Sequence, residues 1–182
     1  MRMFIAIELP SEVKAHLAEL QKKLDGHFAQ LILAKEIHLT LKFLGEVDEQ
    51  KIAEIKQKLE KVDFGSFDAS LGKPGVFPNE SYVRVVWIGV EPAESIIALQ
   101  NKIEKSLAGL FEQDTRFSPH LTLARVKFVK DKQAFIENLK KLEAGKNEFL
   151  VSSFKLIKST LTPKGPVYET IAEFKSQADA VR

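Results

Sequence analysis

Two short segments carry side chains able to move protons and hold an anion. His38-Leu39-Thr40-Leu41 and His120-Leu121-Thr122-Leu123 are identical tetrapeptides 82 positions apart. An extended strand sends alternate side chains to opposite faces. Each tetrapeptide therefore sets an imidazole and a hydroxyl side by side, with its leucines on the other face; strict alternation adds Phe43 to that apolar face. An imidazole with a pKa near 6.5 serves as acid or base around neutrality. Threonine hydroxyls can donate to the non-bridging oxygens of a phosphate, where charge develops during displacement. Displacement at phosphorus is in-line, so the attacking oxygen needs a base at one end and the leaving oxygen an acid at the other. Two histidines on opposite walls of a cleft meet that requirement without a metal ion. The residues themselves leave open which histidine is the acid.

A lone His-x-Thr is commonly a structural strand feature. Two among four histidines would arise by chance in roughly half a percent of chains of this composition. The elements around them repeat as well. At the same shift Pro10 meets Pro92, Glu12 meets Glu94, Leu17 meets Leu99, Lys23 meets Lys105, Val47 meets Val129, Phe67 meets Phe149, Ser70 meets Ser152 and Lys73 meets Lys155. The repeat runs approximately over 3–80 and 85–162. In each copy an apolar, strand-like run (Met3 to Leu9, Val83 to Val90) ends at a proline. A helical periodicity follows, through Val13, Leu17, Leu20 and Leu24 in the first copy and Ile96, Leu99, Ile103 and Leu107 in the second. Ser11 stands where a helix N-cap belongs. The His-x-Thr strand comes next, then a second helix (Ile52, Ile55, Leu59; Phe135, Ile136, Leu139) and a further strand region (Phe67 to Val76; Phe149 to Leu156). A last strand, Val167 to Phe174, follows the turn at Gly165-Pro166. This predicts an α+β protein with an internal duplication. Two pseudo-symmetric lobes, each with an antiparallel sheet flanked by helices, would enclose a central cleft. His16 aligns with Ala98 and His27 follows Gly26 near a helix end, so both are expected to be structural.

The 182 residues suit one bilobal domain. Formal net charge is +2, too little to diagnose nucleic-acid binding. Lys22, Lys23, Lys140 and Lys141 read as solvated helix surface. The absence of cysteine excludes a disulfide framework, a thiolate metal site and a cysteine nucleophile. The first ten residues read as a strand and not as a signal peptide, and no run of about 18 apolar residues predicts a membrane span. The expectation is a cytoplasmic monomer.

These motifs are similar to those of the 2H phosphoesterases, defined by two HxTx segments, and within them to the RNA 2′,3′-cyclic phosphodiesterases, or 2′-5′ RNA ligase family. The resemblance extends through Arg2-Met3-Phe4-Ile5-Ala6-Ile7, His38 to Gly45, Arg84 to Val90, Phe117-Ser118-Pro119-His120 to Arg125, and Gly165-Pro166-Val167-Tyr168. It implies a bilobal fold and hydrolysis of a 2′,3′-cyclic phosphate to a 2′-phosphomonoester. His38 would be the proton donor and His120 the proton acceptor. It also implies that Arg125, five residues after His120, holds phosphate. Strict alternation places Arg125 on the face opposite His120. It reaches the site if the strand ends or bulges near Ala124, or if its long side chain curls back.

Thr40, Thr122, Arg125 and Lys42 are the candidate phosphate ligands, Lys42 because alternation puts it on the face of Thr40. Phe4, Trp87 and Tyr168 are candidates for stacking a base. Substrates would be RNA ends or nucleoside 2′,3′-cyclic phosphates, with no cofactor, metal or membrane. A metal-dependent hydrolase is disfavoured, because no HxH or HExxH spacing occurs. A non-catalytic RNA-end binding module is the alternative reading, but binding alone does not require paired His-Thr units. Reversible 2′-5′ ligation would use the same acid and base with an RNA 5′-hydroxyl in place of water.

Overall fold

The computed structural model describes residues 1–24 and 26–177. Thirteen elements follow in the order β1 (Arg2–Ile7), α1 (Ser11–Lys23), β2 (Ala29–Leu33), β3 (Leu39–Glu46), α2 (Glu49–Leu59), β4 (Phe67–Asn79), β5 (Tyr82–Glu91), α3 (Ala93–Ser106), β6 (His120–Val129), α4 (Lys132–Lys140), β7 (Phe149–Val151), β8 (Ser153–Thr162) and β9 (Gly165–Lys175). They form an α+β fold with two antiparallel sheets, one ordered β3-β1-β8-β9 and the other β2-β6-β5-β4-β7. No helix among the described residues is long and apolar enough to cross a membrane.

The sheets do not divide the chain at the boundary between the repeats. β4 closes the first copy yet pairs with β5 of the second, and β8 closes the second copy yet pairs with β1 of the first. Each lobe is therefore completed by a strand from the other half of the chain. Sequence periodicity does not predict β2. Its burial pattern follows no strict alternation, and it is defined by pairing with β6 at the sheet edge.

β1 is buried on both faces, which is why it reads as one apolar run. Met3, Ile5 and Ile7 join the main core with Val86, Ile88, Leu121 and Leu123. Phe4 and Ala6 point the other way and form a small cluster with Ile157, against which Tyr168 packs. α1 buries Val13, Leu17 and Leu20, and α3 buries Ile96, Leu99 and Ile103, as their spacing requires. Ser11 begins α1 rather than capping it; Pro10 is the N-cap, and no side chain caps the helix.

The first helix of each copy also reaches the motif strand of the other. Gln21 on α1 donates its side-chain amide to the carbonyls of Ala34 and Leu123, at 2.8 Å each. Glu104 on α3 accepts from the Lys42 ammonium on β3 at 2.9 and 2.8 Å. Gln100, one turn earlier, donates to the same carboxylate at 2.9 Å.

Candidate active site

Both motif strands are bulged one residue after the threonine, and the bulges decide what faces the cleft. On β3, Ala6 pairs with Thr40 and Ile5 with Lys42, so Leu41 is the extra residue. On β6, Trp87 pairs with Thr122 and Val86 with Ala124, so Leu123 is the extra residue. A bulge puts two residues opposite one and reverses the alternation beyond it. Leu41 and Lys42 are consequently both buried, as are Leu123 and Ala124. The carbonyl of Leu123 is satisfied by Gln21 and by the Ala34 N–H at 2.9 Å.

Arg125 benefits from this reversal. Its partner Val85 alternates in phase with Trp87 and Gly89, the partners of Thr122 and His120. Arg125 thus shares their face, by the bulge route. The same reversal corrects two expectations on β3. Lys42 is not a cleft cation: its ammonium is buried, paired with Glu104 and donating to the Glu112 carbonyl at 2.7 Å. Phe43 does not enter the core but stands 72% exposed on the cleft side, 6.2 Å from Phe4.

His38 lies immediately before β3, held by the buried Ile37 and Leu39 on either side. Its ring stacks on Phe4 at 4.7 Å and meets Tyr168 edge-on at 5.2 Å. Phe4 is itself buried and covered by His38, which rules it out as a base platform and makes it the floor of the site. Burial lowers the His38 pKa from 6.5 to about 4; the Lys14 charge adds to this and Glu8 opposes it. Glu8 is held below its ordinary value by its hydrogen bond from Lys155, with Lys14 assisting and burial opposing. The Tyr168 hydroxyl is pushed up by burial, while the positive charge of Arg125 pulls it down.

The lowered value makes a stability prediction. In the unfolded chain His38 takes up a proton as pH falls through 6.5, whereas in the folded protein it resists until about 4. Its contribution is fully present above 6.5 and is lost as pH falls through the folded value. At 1.36 kcal/mol per unit the loss amounts to about 3 kcal/mol. Denaturant unfolding at pH 7 and pH 4 should show the wild type losing that much more than His38→Gln; equal losses would contradict the burial effect.

His120 opens β6. Its Nδ1 lies 2.7 Å from the Ser118 carbonyl. A carbonyl only accepts, so Nδ1 is protonated, and in the neutral ring the lone pair is on Nε2. Phe77 on β4 meets the ring edge-on at 4.8 Å, and Trp87 lies at 6.2 Å. Sequence periodicity missed Phe77; its place beside His120 depends on β4 crossing into the other sheet. Thr40 and Thr122 are half-buried, and neither hydroxyl has a hydrogen-bond partner among the described residues. Thr40 and His120, one from each motif, line a single cleft of about 170 Å³. His16 does not line this cleft; it is bonded to the Ala144 carbonyl at 2.5 Å.

Trp87 lies across its cross-strand partner Gly75. A Cβ at Gly75 would stand 2.2 Å from Cζ2 of the indole, so only glycine leaves the ring in place. Gly75→Ala should displace the indole, cost about 1–3 kcal/mol through overpacking, and alter the fluorescence of the single tryptophan of the chain. Unchanged emission and stability would show that the ring does not rest there.

Comparison with known proteins bears on the family and the fold. The sequence profile of the 2′-5′ RNA ligase superfamily matches residues 9–162. An RNA 2′,3′-cyclic phosphodiesterase of Methanocaldococcus jannaschii is 38% identical over 178 residues, covering 96% of this chain and all of that protein. One from Thermotoga maritima is 38% identical, covering 100% of this chain and 99% of its own. The crystal structure of TT0787 of Thermus thermophilus superposes with a TM-score of 0.81 at 32% identity, over 96% of this chain and 97% of the other. With its profile matched through both motifs and full-length relatives at this identity, the chain belongs to the 2′-5′ RNA ligase superfamily.

Proposed function

We propose that the protein hydrolyses the 2′,3′-cyclic phosphate at RNA ends to a 2′-phosphomonoester, with His120 as proton acceptor and His38 as proton donor. The observation that carries this reading is the pair of equivalent bulged strands. They bring Thr40 and His120 to one cleft and turn Arg125 onto the face of His120. The names of the M. jannaschii and T. maritima relatives support the substrate class.

His120 Nε2 takes a proton from water as the water oxygen bonds to phosphorus. The bond from phosphorus to O3′ breaks, and His38 gives its proton to that oxygen. A 2′-phosphate and a free 3′-hydroxyl result. Thr40, Thr122 and Arg125 balance the charge on the non-bridging oxygens. A neutral His38 in the free protein must gain its proton with the substrate, because an adjacent phosphodiester anion favours the imidazolium. The pH–rate profile is accordingly bell-shaped. Trp87 and Tyr168 remain the aromatic surfaces for a base. With an RNA 5′-hydroxyl in place of water, the same acid and base would form a 2′-5′ phosphodiester.

The test is incubation with nucleoside 2′,3′-cyclic phosphates in excess chelator, followed by identification of the product isomer. The 2′-phosphate is expected. A 3′-phosphate, or activity abolished by the chelator, would reject the mechanism.

A further inference from the structure

The two motif histidines are held in different ways. His38 has no ring hydrogen bond among the described residues; Phe4 and Tyr168 pack against it. His120 donates from Nδ1 to the Ser118 carbonyl at 2.7 Å. The difference matches the proposed roles. A proton donor is an imidazolium with N–H on both nitrogens, whereas a proton acceptor must be neutral with the right nitrogen bare. Only the base needs its tautomer fixed, and the Ser118 carbonyl is the group that fixes it.

That carbonyl sits in a segment with little backbone support. Residues 112–118 belong to no helix or strand, and no backbone-to-backbone hydrogen bond holds them among the described residues. Pro119 limits Ser118 to extended backbone but does not set where the segment lies. The anchorage comes from the buried ion pair. Lys42, two residues after Thr40, makes three ammonium hydrogen bonds: two to Glu104, at 2.9 and 2.8 Å, and one to the Glu112 carbonyl at 2.7 Å. Glu104 Oε1 accepts from the Asp114 N–H at 3.3 Å, and Asp114 Oδ1 accepts from the Arg116 N–H at 2.9 Å. Asp114, Arg116, Ser118 and His120 all border the cleft. Hydrogen bonds thus run from the first motif strand, through α3, to within two residues of Ser118.

The duplication shows that this anchor serves one motif alone. At the shift of 82, Lys42 aligns with Ala124 and Glu104 with the exposed Lys22, so the equivalent positions of the other half cannot form such a pair. Nor does stability account for it, because apolar residues of similar volume in place of a buried ion pair are commonly no worse.

On the basis of the proposed reaction, in which His120 is the base, we infer that Lys42, Glu104 and Asp114 are positioning residues for His120. They hold the segment that presents the Ser118 carbonyl, so that Nδ1 keeps its proton and Nε2 is the nitrogen free to accept one.

NMR of protein carrying isotope-labelled histidine reads the ring nitrogens directly. At alkaline pH an imidazole is neutral, and His120→Asn identifies the His120 signals. The wild type should show Nδ1–H. Asp114→Ala should shift the ratio of the two tautomers about fivefold toward Nε2–H, the equilibrium worth of one hydrogen bond. Asp114→Asn keeps the Oδ1 acceptor and should restore the wild-type ratio. In Asp114→Ala kcat should fall about tenfold, a part of the loss that a misplacement of about 1 Å can bring. KM should stay within about threefold, because Thr40, Thr122 and Arg125 are untouched. Lys42→Met combined with Glu104→Leu should shift the tautomer ratio at least as far. Asp114 is exposed, so its variants stay folded and decide the question by themselves. A wild-type ring protonated on Nε2, a ratio unchanged within about twofold in Asp114→Ala, or an equal shift in Asp114→Asn would overturn the inference. So would a shifted ratio with wild-type turnover. Should the wild type hydrolyse no cyclic phosphate, the proposed reaction fails while the tautomer ratio still decides the positioning.

Discussion

Removing the proton-transferring nitrogen of either motif is expected to lower turnover by about 10²- to 10⁴-fold, the usual range for one general acid or base. The most informative variant is His120→Asn. Its side-chain amide can still donate to the Ser118 carbonyl in place of Nδ1, which lies 2.7 Å away. It offers no acceptor where Nε2 stood. His38→Ala additionally empties the space between Phe4 and Tyr168, so His38→Gln is the better probe there. Substrate affinity should survive in both, because Thr40, Thr122 and Arg125 remain. The double variant should be little worse than the poorer single one, since groups acting in one step are not additive. Turnover within a few-fold of wild type in either single variant would sink the two-histidine mechanism. Turnover lost with binding intact would reject the RNA-end binding module, whereas binding lost together with turnover would leave it open.

The second large effect is on stability. Glu104→Ala should destabilise the protein by about 3–5 kcal/mol, because it strands the Lys42 ammonium in the interior. The Lys42 side chain is 3% exposed and that of Glu104 2%. The carboxylate also accepts from Gln100 and from the Asp114 N–H. Lys42→Met should cost a similar amount by leaving the carboxylate unpaired. Combining Lys42→Met with Glu104→Leu removes both charges and should recover much of the loss, giving a large coupling between the sites. Urea midpoints at constant m-value would measure this. Single variants within about 1 kcal/mol of wild type would mean that the pair is solvated in solution.

Much of this protein is decided locally. The identity of His38-Leu39-Thr40-Leu41 and His120-Leu121-Thr122-Leu123, the apolar periods of α1 and α3, and the proline-ended runs of β1 and β5 are properties of neighbouring residues. They specify faces and elements before any tertiary contact forms. On those grounds the duplication, the α+β class and the pairing of imidazole with hydroxyl were legible. Alternation also extends only as far as the ladder is regular. The bulges at Leu41 and Leu123 arise from pairing with β1 and β5, so strands distant in sequence decided which way Lys42, Phe43 and Arg125 point. For the same reason Lys42 met Glu104, 62 positions away, instead of a phosphate. Phe77 reached His120 because β4 joined the opposite sheet. Residue types and spacing determined which groups could do chemistry; strand pairing between the halves of the chain determined which of them share a cleft, because register and sheet membership are set by the partner strand and not by the strand itself.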